Sequence, residues 1–306
     1  MNLDGAPVLV VGGAGFIGQH VVAGFQAQGA SVTVLDMASP PDTQSGKWIT
    51  GSISDASLLA SAAVGQAVVV FLASFSLPGS SHADLALEVE THVLATIRAA
   101  ELCSRVGVQR FVFASSGGAV YGHEPKDGSG LDTDMATYPR NAYGVSKLAI
   151  EHYLRLIGDM RDMDAITLRI ANPYGEGQRA VRAQGFVAAA MQHALAGTTM
   201  SIWGDGTVER DFVHIADVAD AFVKAAQHEG SGLWNVGSGE GVSLNAMLAL
   251  VEEALGRPVP VSYGRDRQVD VRRNVLDITR TRAALGWRPQ IDLREGLRRT
   301  ATWWTG

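Results

Sequence analysis

Through the first half of the chain, short apolar runs rich in β-branched residues alternate with longer amphipathic stretches. Val8-Leu9-Val10-Val11 precedes helical spacing over 16–28, and Val32-Thr33-Val34-Leu35 precedes Val68-Val69-Val70-Phe71-Leu72. Helical spacing returns over 84–105, followed by Phe111-Val112-Phe113, a helical stretch over 143–157 and a β-branched run over 165–170. Runs that are apolar at every position suit strands covered on both faces. Their alternation with helices predicts an α/β fold with a doubly wound parallel sheet of the Rossmann type. Beyond 172 the pattern turns irregular, with glycine turns at 204–206 and 237–239 and helices expected near 186–196 and 243–255. We therefore expect a first domain over 1–171. The remainder, 172–306, is expected to be mainly a smaller C-terminal lobe, with segments returning to the first. No Pro/Ser-rich linker or internal repeat separates the two, so they should close on one cleft.

Composition narrows the class of partner. With 306 residues and 46% hydrophobic content, the chain can bury a large core. Its net charge of −6 and its lack of a Lys/Arg block argue against nucleic acid or an acidic membrane as partner, and favour a small molecule. The one cysteine, Cys103, excludes an internal disulfide and a multi-thiolate metal site, so no metal is expected and the cytoplasm is the natural compartment. Met1-Asn2-Leu3-Asp4 carries no basic segment, and Val8–Val11 is too short for a signal core or a membrane span.

Gly12-Gly13-Ala14-Gly15-Phe16-Ile17-Gly18 follows the first expected strand and opens a helix. Its glycines permit a tight turn and close approach of a pyrophosphate to a helix N-terminus, although a glycine-rich turn without a ligand has the same composition. Asp36 ends the second expected strand. A carboxylate there can accept from both ribose hydroxyls and would repel a 2′-phosphate, which favours NAD over NADP; an ordinary strand-end turn residue is the plainer reading.

Tyr143-Gly144-Val145-Ser146-Lys147 puts a phenol and an ammonium one helical turn apart. A phenol of pKa near ~10 is a poor base at neutral pH, and a nearby Lys cation together with a positively charged nicotinamide would lower it. Such pairs also occur on ordinary helix surfaces. Here, however, Ser115-Ser116 ends the strand one helix earlier, where open α/β sheets place their ligands. Ser116 can orient a substrate oxygen there, or act simply as a strand-end cap.

GGAGFIG, Asp36, ASSGGAVYG (114–122), YGVSK (143–147), NPYGEGQ (172–178), WGDGTVERDFVHIADV (203–218) and LGW (285–287) follow one another along the whole chain. In this combination the sequence resembles the NAD-dependent epimerase/dehydratase family of extended short-chain dehydrogenase/reductases, and is most similar to UDP-glucose and UDP-N-acetylglucosamine 4-epimerases. The resemblance implies a catalytic set of Ser116, Tyr143 and Lys147. It implies NAD contacts from Gly12, Gly15, Phe16, Ile17, Gly18, Asp36, Ser52, Ile53, Leu72, Ala73 and Ser74, in addition to Tyr143 and Lys147. Ser52 stands where relatives commonly have Asp. His92 stands where they usually have Asn, and packing within its helix is an equal reading. For the substrate's nucleotide diphosphate the resemblance implies Asn172, Arg210 and Arg267, with Asp270 at a ribose or one step removed from it. Two guanidinium forks suit a pyrophosphate, although Arg210 can equally pair with Glu209 or Asp211.

Relatives that dehydrate or decarboxylate the sugar carry an acid two positions before the equivalent of Tyr121, and here that position is Ala119. Chemistry confined to C4 is therefore expected: a 4-epimerase using a UDP-linked sugar, with a 4-reductase or 4-dehydrogenase needing the same three residues. A non-enzymatic NAD-sensing protein is the reading of another class. Asn274 matches a position where a bulky Tyr in some relatives excludes N-acetylated sugars, so UDP-N-acetylhexosamines or uronic acid forms are expected alongside or instead of UDP-hexoses. Relatives pair two helices per subunit, which implies a homodimer through the stripe Leu85, Val89, Val93, Thr96, Ala100 and Cys103 and the helix bearing Ile150, Leu154 and Ile157. Packing on the chain's own sheet explains much of the same stripe.

Overall fold

The computed structural model describes residues 1–39, 46–74, 84–125, 127–179, 185–265 and 271–306. The first half supplies β1 (Pro7–Val11), β2 (Ser31–Asp36), β3 (Lys47–Thr50), β4 (Val68–Phe71), β5 (Arg110–Ser116) and β6 (Asp164–Ile170). The second half adds β7 (Asn172–Tyr174), β8 (Met200–Ile202), β9 (Glu209–His214), β10 (Gly232–Val236), β11 (Gly241–Ser243), β12 (Val261–Tyr263) and β13 (Arg273–Asn274). Seven of these form one parallel sheet in the order β10-β6-β5-β4-β1-β2-β3. The strand order reverses between β4 and β1, so the loops leaving these two strands part and open a crevice at the carboxyl edge.

Strand period explains why β1 has no polar face. Val8 and Val10 point into one core with Val21, Val22 and Phe25 of α1 (Phe16–Ala27), whereas Leu9 and Val11 point into another. That second core also holds Leu59 of α2 (Ala56–Ala63), and the helices beyond it begin with α3 (Leu85–Glu88). Its remaining walls are α4 (Ala95–Arg105), through Ala99 and Cys103, and α5 (Ala142–Met160), through Ile150 and Leu154. In the other half of the chain, α6 (Phe186–Ala196) lies in the smaller lobe, while α7 (Ile215–Gln227) returns to cover the first sheet face against α1. The smaller lobe packs α6, α8 (Leu244–Leu255) and α10 (Leu293–Thr305) around a third core, and α9 (Thr279–Leu285) lies against β10.

One expected element differs. The helix over 84–105 is interrupted: α3 ends at Glu88, Val89–Leu94 is π-helical, and α4 resumes at Ala95. A π segment adds a residue to the turn and rotates the stripe that follows. Leu85 and Val89 are consequently exposed, while Val93, Thr96, Ala100 and Cys103 are buried. Burial pushes the Cys103 thiol up to about 12, so it is a packed apolar side chain rather than a nucleophile.

Buried polar groups hold the sheet to the smaller lobe. Asp211 on β9 is fully buried, and its carboxylate accepts from Ser238 N and Ser238 Oγ at 2.7 Å and from Gly239 N and Leu276 N at 3.2 Å. One side chain thereby joins β9, the turn after β10 and the segment after β13. Burial raises its pKa and these donors oppose the rise.

Candidate active site

The glycine loop is shaped by contacts that leave no room for side chains. Gly12 has φ +85°, and a Cβ there would lie 2.8 Å from Ala73 N; a Cβ on Gly18 would lie 2.2 Å from Gly12 O. The loop is thus pressed between α1 and the residues after β4, including Leu72 and Ala73. Helix α1 follows Gly15 at its N-cap, without a side-chain cap or an acid in its first turn, so its N-terminus retains donors and positive field for an anion. Phe16 and Ile17 sit in that first turn, half-buried against the core. Asp36 holds the loop from the next strand, accepting from Ala14 N at 2.9 Å and Ala38 N at 3.0 Å. Each carboxylate oxygen keeps a lone pair for a ribose hydroxyl. Ser52 Oγ accepts from Ser54 N at 3.1 Å, and Ile53 leans on the α2–α4 core. These residues fit a dinucleotide laid across the switch point.

The three chemistry-bearing residues converge at the end of β5. Asn141 caps α5 by accepting from Gly144 N at 2.8 Å, which sets Tyr143 in the first turn. Ser116 lies near enough to the Tyr143 phenol to lower its pKa. Lys147, only 2% exposed, donates from Nζ to Ala114 O at 2.8 Å and lies 5.5 Å from the Tyr143 ring centroid and 4.6 Å from that of Phe113. Burial lowers its pKa to about 8, against the carboxylates of Glu151 and Glu88. The phenol without its nicotinamide is shifted the other way. Burial first, then the Glu88 carboxylate, push Tyr143 up to about 12, with Ser116 opposing. The protein's own groups therefore keep Tyr143 protonated, and a lowered pKa has to await the positive nicotinamide.

The turn after Ser116 is pinned from both lobes. Gly117 N donates to Ile170 O at 2.8 Å, while Asn274 Nδ2 donates to Gly117 O at 3.2 Å. Asn274 is only 3% exposed, and its Oδ1 is buried without a hydrogen-bond partner. Ala119 is buried as well, its carbonyl pressed against Gly144. Beneath them runs a charged network that the sequence reading did not single out. Arg169 Nη2 donates to Glu151 Oε2 at 2.7 Å, Ser115 donates to the same carboxylate, and the guanidinium lies 4.9 Å from the Tyr121 ring centroid. Tyr121 in turn donates to Asn235 on β10 at 2.7 Å. Taken singly, Arg169 and Glu151 look like ordinary strand and helix residues, and only their burial reveals the pair.

Of the expected substrate ligands, Asn172 donates from Nδ2 to Asp211 O at 2.8 Å, at the start of β7. Arg210 donates from Nη1 to Glu209 O and Val271 O, both at 2.8 Å; Glu209 itself pairs with Arg273 at 3.2 Å. Arg267 and Asp270 lie outside the described residues. His92 is buried, bonded to Glu88 through Nδ1 and to Ser74 through Nε2, each at 3.1 Å. Among the described residues, no group of three or more His, Cys, Asp or Glu is placed to hold a metal ion. No helix there is long and apolar enough to cross a membrane.

A doubly wound sheet with a glycine cradle at its switch point and Ser, Tyr and Lys meeting at a strand end defines a dehydrogenase-type α/β enzyme. Residues 8–237 match the NAD dependent epimerase/dehydratase family, and the chain belongs to that family. It is 35% identical over 303 residues to a UDP-glucose 4-epimerase of Mycolicibacterium smegmatis, covering 95% of this chain and 96% of the relative. The UDP-glucose 4-epimerase of Thermotoga maritima, solved with UDP-glucose, is 30% identical with a TM-score of 0.91 over 98% of each chain. MoeE5, solved in complex with UDP-glucuronic acid and NAD, is 34% identical with a TM-score of 0.88 over 97% of this chain and 98% of that one.

Proposed function

We propose that the protein is an NAD-dependent 4-epimerase of UDP-linked hexoses, with N-acetylhexosamine and uronic acid forms within its range. The observation that carries this reading is the meeting of Ser116, Tyr143 and Lys147 at the carboxyl end of β5, facing the glycine cradle across the switch point.

NAD, once bound, supplies reversible oxidation of a secondary alcohol and a positive ring charge. The protein supplies the proton chemistry. In this reading Ser116, beside Tyr143 at the end of β5, orients the C4 hydroxyl while Tyr143 removes its proton. The Lys147 ammonium, fixed by Ala114 O, stabilises the phenolate. When the 4-keto sugar has turned over, Tyr143 returns the proton to the oxygen on the new face. Ala119 offers no acid to act at C5 or C6. In this reading Asn172, Arg210, Arg267 and Asp270 hold the nucleotide diphosphate, and Asn274 shapes the sugar end through the Gly117 turn.

We also propose a homodimer. Leu85, Leu87 and Val89 of the α3 region and Tyr153, Leu156 and Met160 of α5 are exposed apolar side chains on neighbouring helices, a face suited to a second copy. A cytoplasmic setting suits the reduced Cys103. The test is incubation of purified protein with UDP-glucose, UDP-N-acetylglucosamine and UDP-glucuronic acid, with products separated as C4 epimers and the cofactor followed at the NADH absorbance. Epimers without net NADH change support the reading. Stoichiometric NADH formation or consumption would replace it with a 4-dehydrogenase or 4-reductase, and bound NAD with no turnover would leave a sensor. Light scattering of the eluting peak reads the dimer.

A further inference from the structure

The ion pair buried beneath the candidate site has no part in the chemistry described above. Glu151 on α5 and Arg169 on β6 are 6% and 3% exposed. The guanidinium closes on the carboxylate as a fork, with Nε 3.1 Å from each oxygen and Nη2 2.7 Å from Oε2. Ser115 on β5, opposite Arg169 in the sheet register, donates to Oε1 of the same carboxylate. One residue earlier on that strand, Ala114 O accepts from Lys147 Nζ at 2.8 Å. One residue later stands Ser116. Lys147 and Glu151 are themselves one turn apart on α5, both on its buried face.

An ammonium taken out of water needs opposite charge close by, or it gives up its proton. The described charged and titratable groups facing Lys147 are Glu88 on α3, His92 in the π-helical turn, Tyr143 and Glu151 on α5, and Arg169 paired with Glu151 from β6. Two of these are carboxylates. Glu88 also serves His92, at 3.1 Å, whereas Glu151 is fixed by donors from two strands. We propose that Glu151 is a positioning residue for the epimerase reaction: held by Arg169 and Ser115, it is the counter-charge that keeps Lys147 an ammonium on Ala114 O, beside the phenol it serves. The inference rests on the epimerase reading above, in which that ammonium stabilises the Tyr143 phenolate.

The pair as a whole is neutral, but its two ends are not equivalent for Lys147. The carboxylate is on the lysine's own helix face, and the guanidinium reaches it from β6. Burial lowers Lys147 to about 8, and Glu151 is the first of the groups opposing that fall, ahead of Glu88. The side chain is therefore mostly charged at neutral pH, whereas a midpoint about one unit lower would leave it half neutral there. An amine without its proton gives a phenolate no partner. Arg169 and Ser115 in turn let the carboxylate remain ionised in the core, where alone it would be strongly destabilising. Apolar side chains would fill this helix–sheet interface more favourably than an ion pair. What the pair adds is a negative charge at a fixed place, one turn from Lys147.

The test reads the lysine directly. Cofactor-stripped protein labelled at the lysine Cε carbons is titrated by carbon NMR between pH 6 and 11, with Lys147 assigned by the loss of its signal in Lys147→Met. The expected wild-type midpoint is about 8. A wild-type midpoint below about pH 7 would overturn the proposal, because the ammonium would then be unsupported at neutral pH. Glu151→Gln keeps the shape of the side chain and can still accept from Ser115 and Arg169. The double variant Glu151→Gln with Arg169→Met removes both charges, so a pair that acts only as a neutral unit would leave Lys147 where it is. In each variant the midpoint should fall by at least about one unit, the loss of a nearby opposite charge, with circular dichroism confirming the fold. An unmoved midpoint in the folded double variant also overturns the proposal. Turnover gives the second readout. In the epimer assay, the deficit of Glu151→Gln against wild type should narrow about fivefold as pH falls from 8 to 6, because acid returns the proton to Lys147. A deficit that is constant with pH would leave Glu151 a structural residue and overturn its role in the reaction. Wild-type protein that turns over no UDP-sugar would instead defeat the epimerase reading, while the lysine titration still decides whether Glu151 is the counter-charge.

Discussion

Replacing Lys147 by Met should remove a pH dependence of stability that belongs to one buried ammonium. Lys147 is 2% exposed, and its pKa falls from the usual 10.5 to about 8 in the folded chain. Between those values the unfolded chain binds the proton more tightly than the folded one, so stability rises with pH through that window. The full shift corresponds to about 3 kcal/mol, of which roughly 2 kcal/mol is recovered between pH 7 and pH 10. Methionine fills a similar volume without the charge, but it leaves Ala114 O without its 2.8 Å donor, a loss of about 1 kcal/mol or more. At pH 7 the variant should therefore be no less stable than wild type, and more stable by up to about 2 kcal/mol. The assay is urea unfolding of cofactor-stripped protein at pH 7, 8, 9 and 10. Subtracting the variant cancels every other titrating group outside the immediate neighbourhood. A difference that stays flat across this range, to within about 0.5 kcal/mol, would refute the claim that the ammonium is held against its desolvation cost.

Three further substitutions probe the rest of the site. Tyr143→Phe should cut turnover by about 10²- to 10⁴-fold in the epimer assay while NAD still co-purifies, because only the proton carrier is lost. Gly18→Ala forces a Cβ to within 2.2 Å of Gly12 O, so the loop must shift; lost NAD and roughly 1–3 kcal/mol of stability are expected from cofactor content and thermal unfolding. Asp36→Ala removes both the Ala14 N–H acceptor and the charge that repels a 2′-phosphate, and the ratio of NADP to NAD affinity should rise at least about tenfold in a binding titration.

The features legible in the sequence were those set by local pattern. Continuous apolar runs marked β1, β2, β4 and β5 because each is buried on two faces, and the glycine loop and the Tyr143–Lys147 spacing are short-range signals. What escaped depends on tertiary contact. Glu88 and His92 have the spacing of a surface ion pair, and nothing local reveals that a π turn buries them. Asn274 is singled out by its position in a motif, and only the fold shows its amide nitrogen donating to Gly117 O. The sequence shows Tyr143 beside Lys147, but not the burial and the distant-in-sequence Glu88 that raise its pKa before any cofactor is present. Strand β10 was missed because Gly232-Leu233-Trp234-Asn235-Val236 lies deep in the irregular half and mixes a buried Asn into the run.

That strand has a consequence for how the protein comes into being. Until residue 236 has left the ribosome, Ile166 to Ile170 of β6 present an open sheet edge, Tyr121 lacks its Asn235 partner, and α1 lacks its cover from α7. A nascent chain stopped near 171 should therefore be sticky and unable to settle its cofactor loop, however complete its motifs. Maturation of the dinucleotide site is a late event in synthesis, gated by a segment that carries none of the chemistry.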